Sequence, residues 1–187
     1  MEMRFIYFLA LLPMCYLTAA SLPSNNGTNF YGKQEVHSIQ AEGILMLDGT
    51  RATGVTTVNG RLQAIGADLD RLDMTGQAII KNTLIRTGAI INGPLMSEKS
   101  AIYKQLSIAA QRITLKATTV ESIKVRKIAG YKGPQILELL QGTKVTGPII
   151  FESENGEIII SSDSEIEGAV TGPKVPKMKI IGALPTQ

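Results

Sequence analysis

The sequence predicts an all-β fold, in which a single chain winds into a parallel β-helix with irregular coils. Apolar and polar residues alternate in short runs along most of the chain, which is typical of half-buried strands. Glycine recurs between pairs of apolar residues, where a winding chain needs corners. A helical period is nearly absent. The glycine-cornered units are 58–62, 91–95, 145–149 and 166–170.

The N-terminal segment, 1–20, has the pattern of a secretory signal peptide. Arg4 is the positive n-region, residues 5–16 form the apolar h-region, and residues 18–20 (Thr-Ala-Ala) offer small side chains for cleavage. The mature chain is therefore expected to begin at Ser21. The apolar run is short for a membrane-spanning helix of about 20 residues, and an uncleaved anchor is the alternative.

Cys15 adds a second alternative, because bacterial lipoproteins carry a cysteine directly after the h-region. Leu12 fits that pattern, whereas Pro13 and Met14 stand where small residues are needed. Ordinary cleavage removes Cys15 and leaves a mature chain without a disulfide, a thiol ligand or a thiol nucleophile. Membrane attachment is expected only if Cys15 is lipidated or the signal stays uncleaved.

The rest of the chain divides into three segments. Residues 21–40 are polar and turn-rich and predict a flexible leader. Residues 41–172 carry the strand pattern and predict the β-helix domain, with an aliphatic core because aromatic residues make up only 5% of the chain. Residues 173–187 alternate proline with lysine, which predicts a C-terminal cap or tail that discourages strand pairing.

Two local alternatives stay open within the β-helix segment. The predicted coils are irregular, at roughly 17–21 residues each. Residues 99–116 approximate a 3.6-residue period and also fit a short helix. The apolar runs 149–151 and 158–160 flank Asn155-Gly156, a strong turn signal, so a hairpin is the alternative there.

The sequence offers no catalytic, metal-binding or cofactor-binding residues that we can assign. The one histidine, His37, is expected to be an exposed turn residue, and sites built on several His or Cys residues are excluded by composition. Two clusters of acidic residues could serve acid–base hydrolysis of a polysaccharide or bind a cation, but a solvated charged face is the simpler interpretation. They are Asp68, Asp70 and Asp73, and Glu152, Glu154, Glu157, Asp163, Glu165 and Glu167.

The net charge of +3 does not suggest a nucleic-acid partner, but the charges are unevenly placed. Every charge between residues 145 and 172 is acidic. In a solenoid this layout predicts a basic middle and an acidic end, which could favour contact between copies. The basic residues of the middle are Lys104, Arg112, Lys116, Lys124, Arg126, Lys127 and Lys132.

The glycine-cornered units, with the segment 145–172, resemble the short-coil right-handed β-helices of the bactofilin type, the polymer-forming cytoskeletal proteins of bacteria. The resemblance covers about residues 43–172 and is one of pattern. It implies a compact right-handed β-helix and self-assembly. Bactofilins are typically cytoplasmic, whereas this chain has an export signal. The chain is also similar to exported adhesin-like β-helical proteins, and neither likeness identifies functional residues.

From these observations we expect an exported, non-enzymatic structural or interaction protein of the bacterial cell envelope, in the periplasm, on the outer envelope or secreted. Its expected partner is another copy of the chain or another envelope protein, bound along sheet edges or flat faces. An adhesin or glycan-binding module is the alternative. A carbohydrate-active enzyme that uses the carboxylates is a third hypothesis.

Overall fold

The structure, a computed structural model, describes residues 22–182, with side chains from residue 26 onward. It confirms the predicted all-β parallel solenoid, which makes about nine turns. Within residues 22–182 all strand pairings are parallel and no helix is present. The strands are β1 (Leu22–Tyr31), β2 (Glu35–Val36), β3 (Ile39–Asp48), β4 (Arg51–Ile65), β5 (Asp68–Lys81), β6 (Leu84–Ile85), β7 (Ala89–Asn92), β8 (Leu95–Glu98), β9 (Ala101–Ala109), β10 (Arg112–Lys116), β11 (Thr119–Val125), β12 (Gln135–Leu140), β13 (Lys144–Val145), β14 (Ile149–Phe151), β15 (Gly156–Ser161), β16 (Glu165–Ile166), β17 (Val170–Thr171) and β18 (Lys177–Ile181).

Successive turns stack in register, and the turns at the start of the solenoid are short and nearly equal in length. Ile39 pairs with Thr56 one turn later, and Thr56 in turn pairs with Leu72. One later turn is much longer, because Ile123 pairs with Ile149 across an inserted loop. The expected length of roughly 17–21 residues thus describes only part of a solenoid that is tighter at its start.

Each early turn has three sides, which we number from its start. In the third turn the first side is residues 51–53, the second 55–59 and the third 61–65, all within β4. Side chains alternate along each side, and the inward ones form one aliphatic core. The inward positions repeat as columns through the stack, as the register predicts for period-two alternation. One such column on the third side consists of the stacked residues Leu45, Leu62, Ala78, Leu95, Ile113, Leu137 and Ile158.

Glycine forms the corner between the second and third sides in the early turns. Gly27, Gly43, Gly60, Gly76 and Gly93 lie directly above one another, and each has a positive φ between 105° and 140°. Only glycine adopts such angles freely. A Cβ at any of the last four would lie 1.8–2.4 Å from the carbonyl oxygen of the glycine before it. The corner therefore requires glycine for two reasons: the positive φ and the lack of space for a Cβ atom.

The corner between the third side and the next turn is left-handed, and glycine occupies it only at first. Gly49 and Gly66 are followed in the same column by Asn82, Lys99 and Ala117, with φ between 46° and 67° throughout. The amide of each donates to a carbonyl of the following turn, at 2.8–3.0 Å. Repeated inter-turn hydrogen bonds hold these non-glycine residues in a conformation they rarely adopt.

A buried ladder of hydroxyl side chains follows this left-handed corner. The Thr83 amide donates to Ser100 Oγ at 3.1 Å, and the Thr118 amide donates to Thr143 Oγ1 at 3.3 Å. Thr143 Oγ1 also donates to the carbonyl of Leu140 at 2.7 Å. Hydroxyls are needed at these core positions because the corner turns backbone polar groups inward, where they require partners.

The structure decides the two local alternatives against helix and hairpin. Residues 99–116, for which a short helix was the alternative, form β9 and β10. Their apolar spacing fits two short strands separated by a corner. The runs at 149–151 and 158–160 form β14 and β15, which pair in parallel with β11 and β12 rather than with each other. Asn155-Gly156 is therefore a corner of the solenoid and not a hairpin turn.

Both ends of the solenoid extend beyond the predicted domain of 41–172. The predicted leader contains β1 and β2. A polar segment can still form strands, because the outward positions of a strand accept polar residues. The predicted Pro/Lys-rich cap or tail contains β18, which stacks on β15 as the last strand. The signal peptide, Cys15 and the segment 183–187 lie outside the described residues.

Candidate interaction surfaces

The predicted carboxylate cluster at Asp68, Asp70 and Asp73 takes part in ion pairs on the solenoid surface. Arg86 donates two hydrogen bonds to Asp68, at 2.7 and 2.6 Å, and these bonds raise the pKa of its guanidinium. Asp73 accepts from Arg71 at 3.0 Å, and Asp70 accepts from Thr87. Asp68 is thus ion-paired to an arginine of the next turn, and Asp73 is ion-paired to an arginine of its own turn.

Four carboxylates of the acidic stretch from Glu152 to Glu167 are paired in the same way, namely Glu152, Glu154, Glu165 and Glu167. Glu152 lies 2.8 Å from Lys124 Nζ, and its pKa is lowered by that contact and by the Lys127 amide. Lys144 contacts Glu167 at 2.5 Å and Glu165 at 3.6 Å, and these contacts raise the pKa of its ammonium. The predicted separation into a basic middle and an acidic end is thus reduced by pairing between neighbouring turns.

Opposite charges on adjacent turns are a repeated feature. Every ion pair of the described residues joins successive turns except Arg71–Asp73, which lies within one turn. Several pairs join residues that face each other directly in the strand register. They are Glu35–Arg51, Arg51–Asp68, Lys81–Glu98 and Lys144–Glu165. Exposed pairs of this kind contribute little to stability, so their regular sign matters more for the strand register.

His37 is exposed near the start of the solenoid, and its Nδ1 lies 3.4 Å from Thr53 Oγ1. Among residues 22–182, no group of three or more His, Cys, Asp or Glu side chains is arranged to hold a metal ion. The same residues include no helix long and apolar enough to span a bilayer.

The corner between the second and third sides widens in the later turns. In the fifth turn a single glycine forms this corner. The corresponding segment is 110–111 in the sixth turn, 127–135 in the seventh, 153–156 in the eighth and 174–176 in the ninth. Gln135 anchors the longest loop, since its buried amide donates to the carbonyls of Ala110 at 3.0 Å and Arg126 at 2.9 Å. Insertions on one side of a repeat stack often form a binding surface.

Among residues 22–182, the last turn leaves the apolar core open at its C-terminal end. Ile158 and Ile160 of β15 are 0% and 9% exposed, whereas Met178 and Ile180, stacked above them on β18, are 52% and 71% exposed. Ile166 of β16 is also only partly buried. Composition placed this segment in a cap or tail, although the Lys-Met-Lys-Ile alternation at 177–180 is itself a strand signal.

The opposite end is closed differently. Asn29 and Tyr31 of β1 occupy the two inward columns that Leu45 and Leu47 fill in the next turn, and both are half-buried. An amide and a tyrosine ring that packs against the core thus stand at these inward positions of the first turn, whereas exposed aliphatic groups stand at those of the last. The two ends of the solenoid are chemically different.

A shallow groove of about 350 Å³ runs across the second side over the second to fifth turns. Amide, hydroxyl and carboxylate side chains line it. The outward ones are Gln40, Glu42, Thr57, Asn59, Asp73, Thr75 and Asn92, with Ile90 beside them. Asn92 contacts Thr75 at 3.4 Å and accepts from Arg126 at 2.7 Å, so one end of the groove is ordered by hydrogen bonds.

No family model, curated protein or solved structure matches the chain. Its class is therefore defined by its own architecture, which is an all-β parallel solenoid with exposed aliphatic side chains on its last turn and loops along one corner.

Proposed function

We propose that this chain is an exported, non-enzymatic structural or interaction protein of the bacterial cell envelope. It acts by self-association or by docking to another envelope component. One observation carries the proposal: Met178 and Ile180 are exposed in columns whose members in the preceding turn are buried. Uncovered core positions at the end of a repeat stack favour association, because terminal repeats otherwise need a polar outer face.

The ion-pairing of the carboxylates supports a binding role over hydrolysis. Glycoside hydrolysis needs two carboxyl groups facing each other across about 5–9.5 Å of substrate space, one of them protonated. Asp68 and Glu152 are instead bonded to Arg86 and Lys124. The enzymatic hypothesis predicts turnover that alanine substitution at these carboxylates abolishes.

Photocrosslinking in the native bacterium tests the docking surface. A photoreactive residue placed at Ile180 should give a discrete product, identified by mass spectrometry as a second copy or another envelope protein. The matched control is the same residue at Ile44, which is exposed on an early turn far from this end. Absence of any product that depends on position 180 would contradict the proposal.

Export is tested by the mass of the chain recovered outside the cytoplasm. Cleavage at the predicted site gives a chain that starts at Ser21. Lipidation gives a larger species whose added mass disappears in Cys15→Ser, and an uncleaved anchor gives the full-length mass in the membrane fraction. Recovery of the chain from the cytoplasm alone would overturn the envelope assignment. The right-handed winding implied by the bactofilin resemblance belongs to this proposal, and an experimental structure tests it.

The polar groove of the second side favours a second candidate function, glycan binding by an adhesin-like module. Planar amides and carboxylates in a shallow groove suit vicinal hydroxyls, and side-chain hydrogen-bonding groups repeat from turn to turn. A glycan array distinguishes the functions. Retention that Asn59→Ala abolishes would support glycan binding, and retention that Ile180→Lys abolishes would place the ligand at the open end instead.

A further inference from the structure

The open end has a definite pattern of side chains along β18. Lys177 and Lys179 point outward, and Met178 and Ile180 lie in the inward columns. Among the described residues β18 pairs with β15 alone, so its other edge faces away from the stack. A strand added at this edge would continue the parallel sheet, the mode of recognition known as β-augmentation.

The stack itself indicates what the next strand should carry. Within the sheet, aliphatic residues lie above aliphatic residues in the inward columns, as Ile158 lies under Met178. At several outward positions the charge alternates from turn to turn, as in Glu35, Arg51 and Asp68. Glu157 lies directly beneath Lys177 in the same register. Continuing both rules places a carboxylate over Lys177 and aliphatic side chains over Met178 and Ile180. Lys179 lies above Ile159, and charge complementarity alone places a carboxylate over it.

The first turn of a second copy does not meet this requirement. Stacked head to tail in the same register, it would place Asn29 over Met178 and Phe30 over Lys179. The same register would place Tyr31 over Ile180, but Thr28 and Phe30 over the two lysines, so neither lysine would receive a carboxylate.

Two last turns do not fit each other either. A two-fold contact between copies would pair β18 with itself in antiparallel orientation. Its outward residues are Lys177, Lys179 and Ile181, so lysines would oppose lysines or an aliphatic residue. Like charges directly opposite in a sheet are destabilising, and lysines on edge strands are a known barrier to such pairing.

We infer that the open end binds an extended segment of another protein, and that acidic and aliphatic residues alternate along this segment. This inference rests on the proposed function. The segment adds to β18 as one more strand. Its carboxylates pair with Lys177 and Lys179, and its aliphatic side chains cover Met178 and Ile180. The last turn is then as buried as the turns before it.

The test is binding of fluorescent synthetic peptides to the chain from Ser21 to Gln187, measured by anisotropy. The probe is a capped octapeptide of alternating Glu and Val. One comparison peptide alternates Lys and Val, and another groups the same Glu and Val residues in two blocks. We expect saturable binding of the alternating Glu–Val peptide and at least tenfold weaker binding of the other two.

The variant K177E/K179E should weaken the Glu–Val peptide about tenfold, as expected for two reversed cross-strand pairs, and should improve the Lys–Val peptide. Lys132→Glu, an exposed charge reversal in the long loop, is the matched control and should change neither affinity. Equal binding of the alternating and blocked Glu–Val peptides would overturn the inference, because charge alone would then explain it.

Light scattering on the same samples separates this inference from the proposed function. If the chain associates with itself and Ile180→Lys abolishes that association, the proposed function stands and the acidic partner is wrong. If the peptide binds only after residues 183–187 are removed, the chain's own terminus occupies the end and the inference fails. If the chain is a strict monomer that binds no peptide and gives no crosslink at position 180, both fail.

Discussion

A Cβ atom placed on Gly76 would lie 1.8 Å from the carbonyl oxygen of Gly60, one turn earlier in the stack. The two glycines are register partners at the corner between the second and third sides. Their turns approach so closely that a methyl group cannot fit unless the backbone moves. The corner is thus defined by contact between main chains, and the side chains on either side diverge from it.

Replacement of Gly76 by alanine should therefore be severely destabilising. We expect a loss of about 3 kcal/mol or more in the free energy of unfolding, from the contact with Gly60 and from the φ of 123°. The measurement is urea denaturation followed by circular dichroism. Gly66→Ala is the matched control, because its φ is also positive but its nearest neighbour is 3.9 Å away. Equal losses at both positions would refute the packing argument.

The non-glycine residues in the left-handed corner give a prediction of opposite sign. Ala117 has a φ of 46°, a conformation that costs an L-residue about 1–2 kcal/mol. Ala117→Gly should stabilise the fold by about 0.5 kcal/mol, after the greater freedom of glycine in the unfolded chain is subtracted. Ala101→Gly in β9 should instead destabilise it by about 0.5–1 kcal/mol. A loss of stability in Ala117→Gly would count against strain at this corner.

The buried hydroxyl ladder predicts a large effect from a nearly isosteric change. Thr143 Oγ1 accepts from the Thr118 amide and donates to the Leu140 carbonyl, both within the core. Thr143→Val keeps the volume but leaves the Thr118 amide without its partner in the core, at an expected cost of about 1–3 kcal/mol. The Leu140 carbonyl still accepts from the Ala117 amide. Thr119→Val, on an exposed strand position, should change stability by less than about 0.5 kcal/mol. Thermal unfolding of the two variants provides the comparison.

The ion pairs predict how stability depends on acid. Contact with Lys81 lowers the pKa of Glu98, and contacts with Lys124 and the Lys127 amide lower the pKa of Glu152, in each case below the ordinary value of 4.5. A carboxyl whose pKa is lower in the folded state stabilises the fold above its unfolded pKa. That contribution is lost as the pH falls through the folded pKa.

Stability should consequently decline as the pH drops below 4.5, the ordinary pKa of both groups. The variant E98Q/E152Q should show a shallower decline, measured as urea midpoints at about pH 7, 4.5 and 3. Gln77→Ala, a neutral exposed change on the same side as Glu98, should leave the slope as it is. An unchanged slope in the double variant would show that these pairs contribute nothing to folding.

The sequence reveals the glycine corner but not the left-handed one, for a physical reason. Gly60 and Gly93 mark a corner where no other residue fits, so its position is visible in the residue types. At the left-handed corner, inter-turn hydrogen bonds hold Asn82, Lys99 and Ala117 in place. Because the backbone rather than the side chain satisfies that corner, glycine and several other residue types occupy it, and the sequence shows no pattern there.

The coil length and the open end were obscured by other effects. The loop of 127–135 interrupts the regular spacing, so the short repeat of the early turns is hard to recognise across it. At the C-terminus, prolines and lysines suggested a segment that avoids pairing, although β18 completes a turn. Ile180 is exposed because β18 is the last strand of the stack, and the local sequence does not show which strand is last.

The difference between the two ends bears on stoichiometry. Asn29 and Tyr31 occupy inward positions of the first turn and are half-buried, whereas Met178 and Ile180 occupy inward positions of the last turn and are exposed. A ligand strand that fits the last turn therefore finds only one such place on each molecule. A complex built in this way should contain one partner segment per chain, and its size should not grow with concentration. Binding of this kind would end an assembly at this molecule and would not build a polymer of repeated copies.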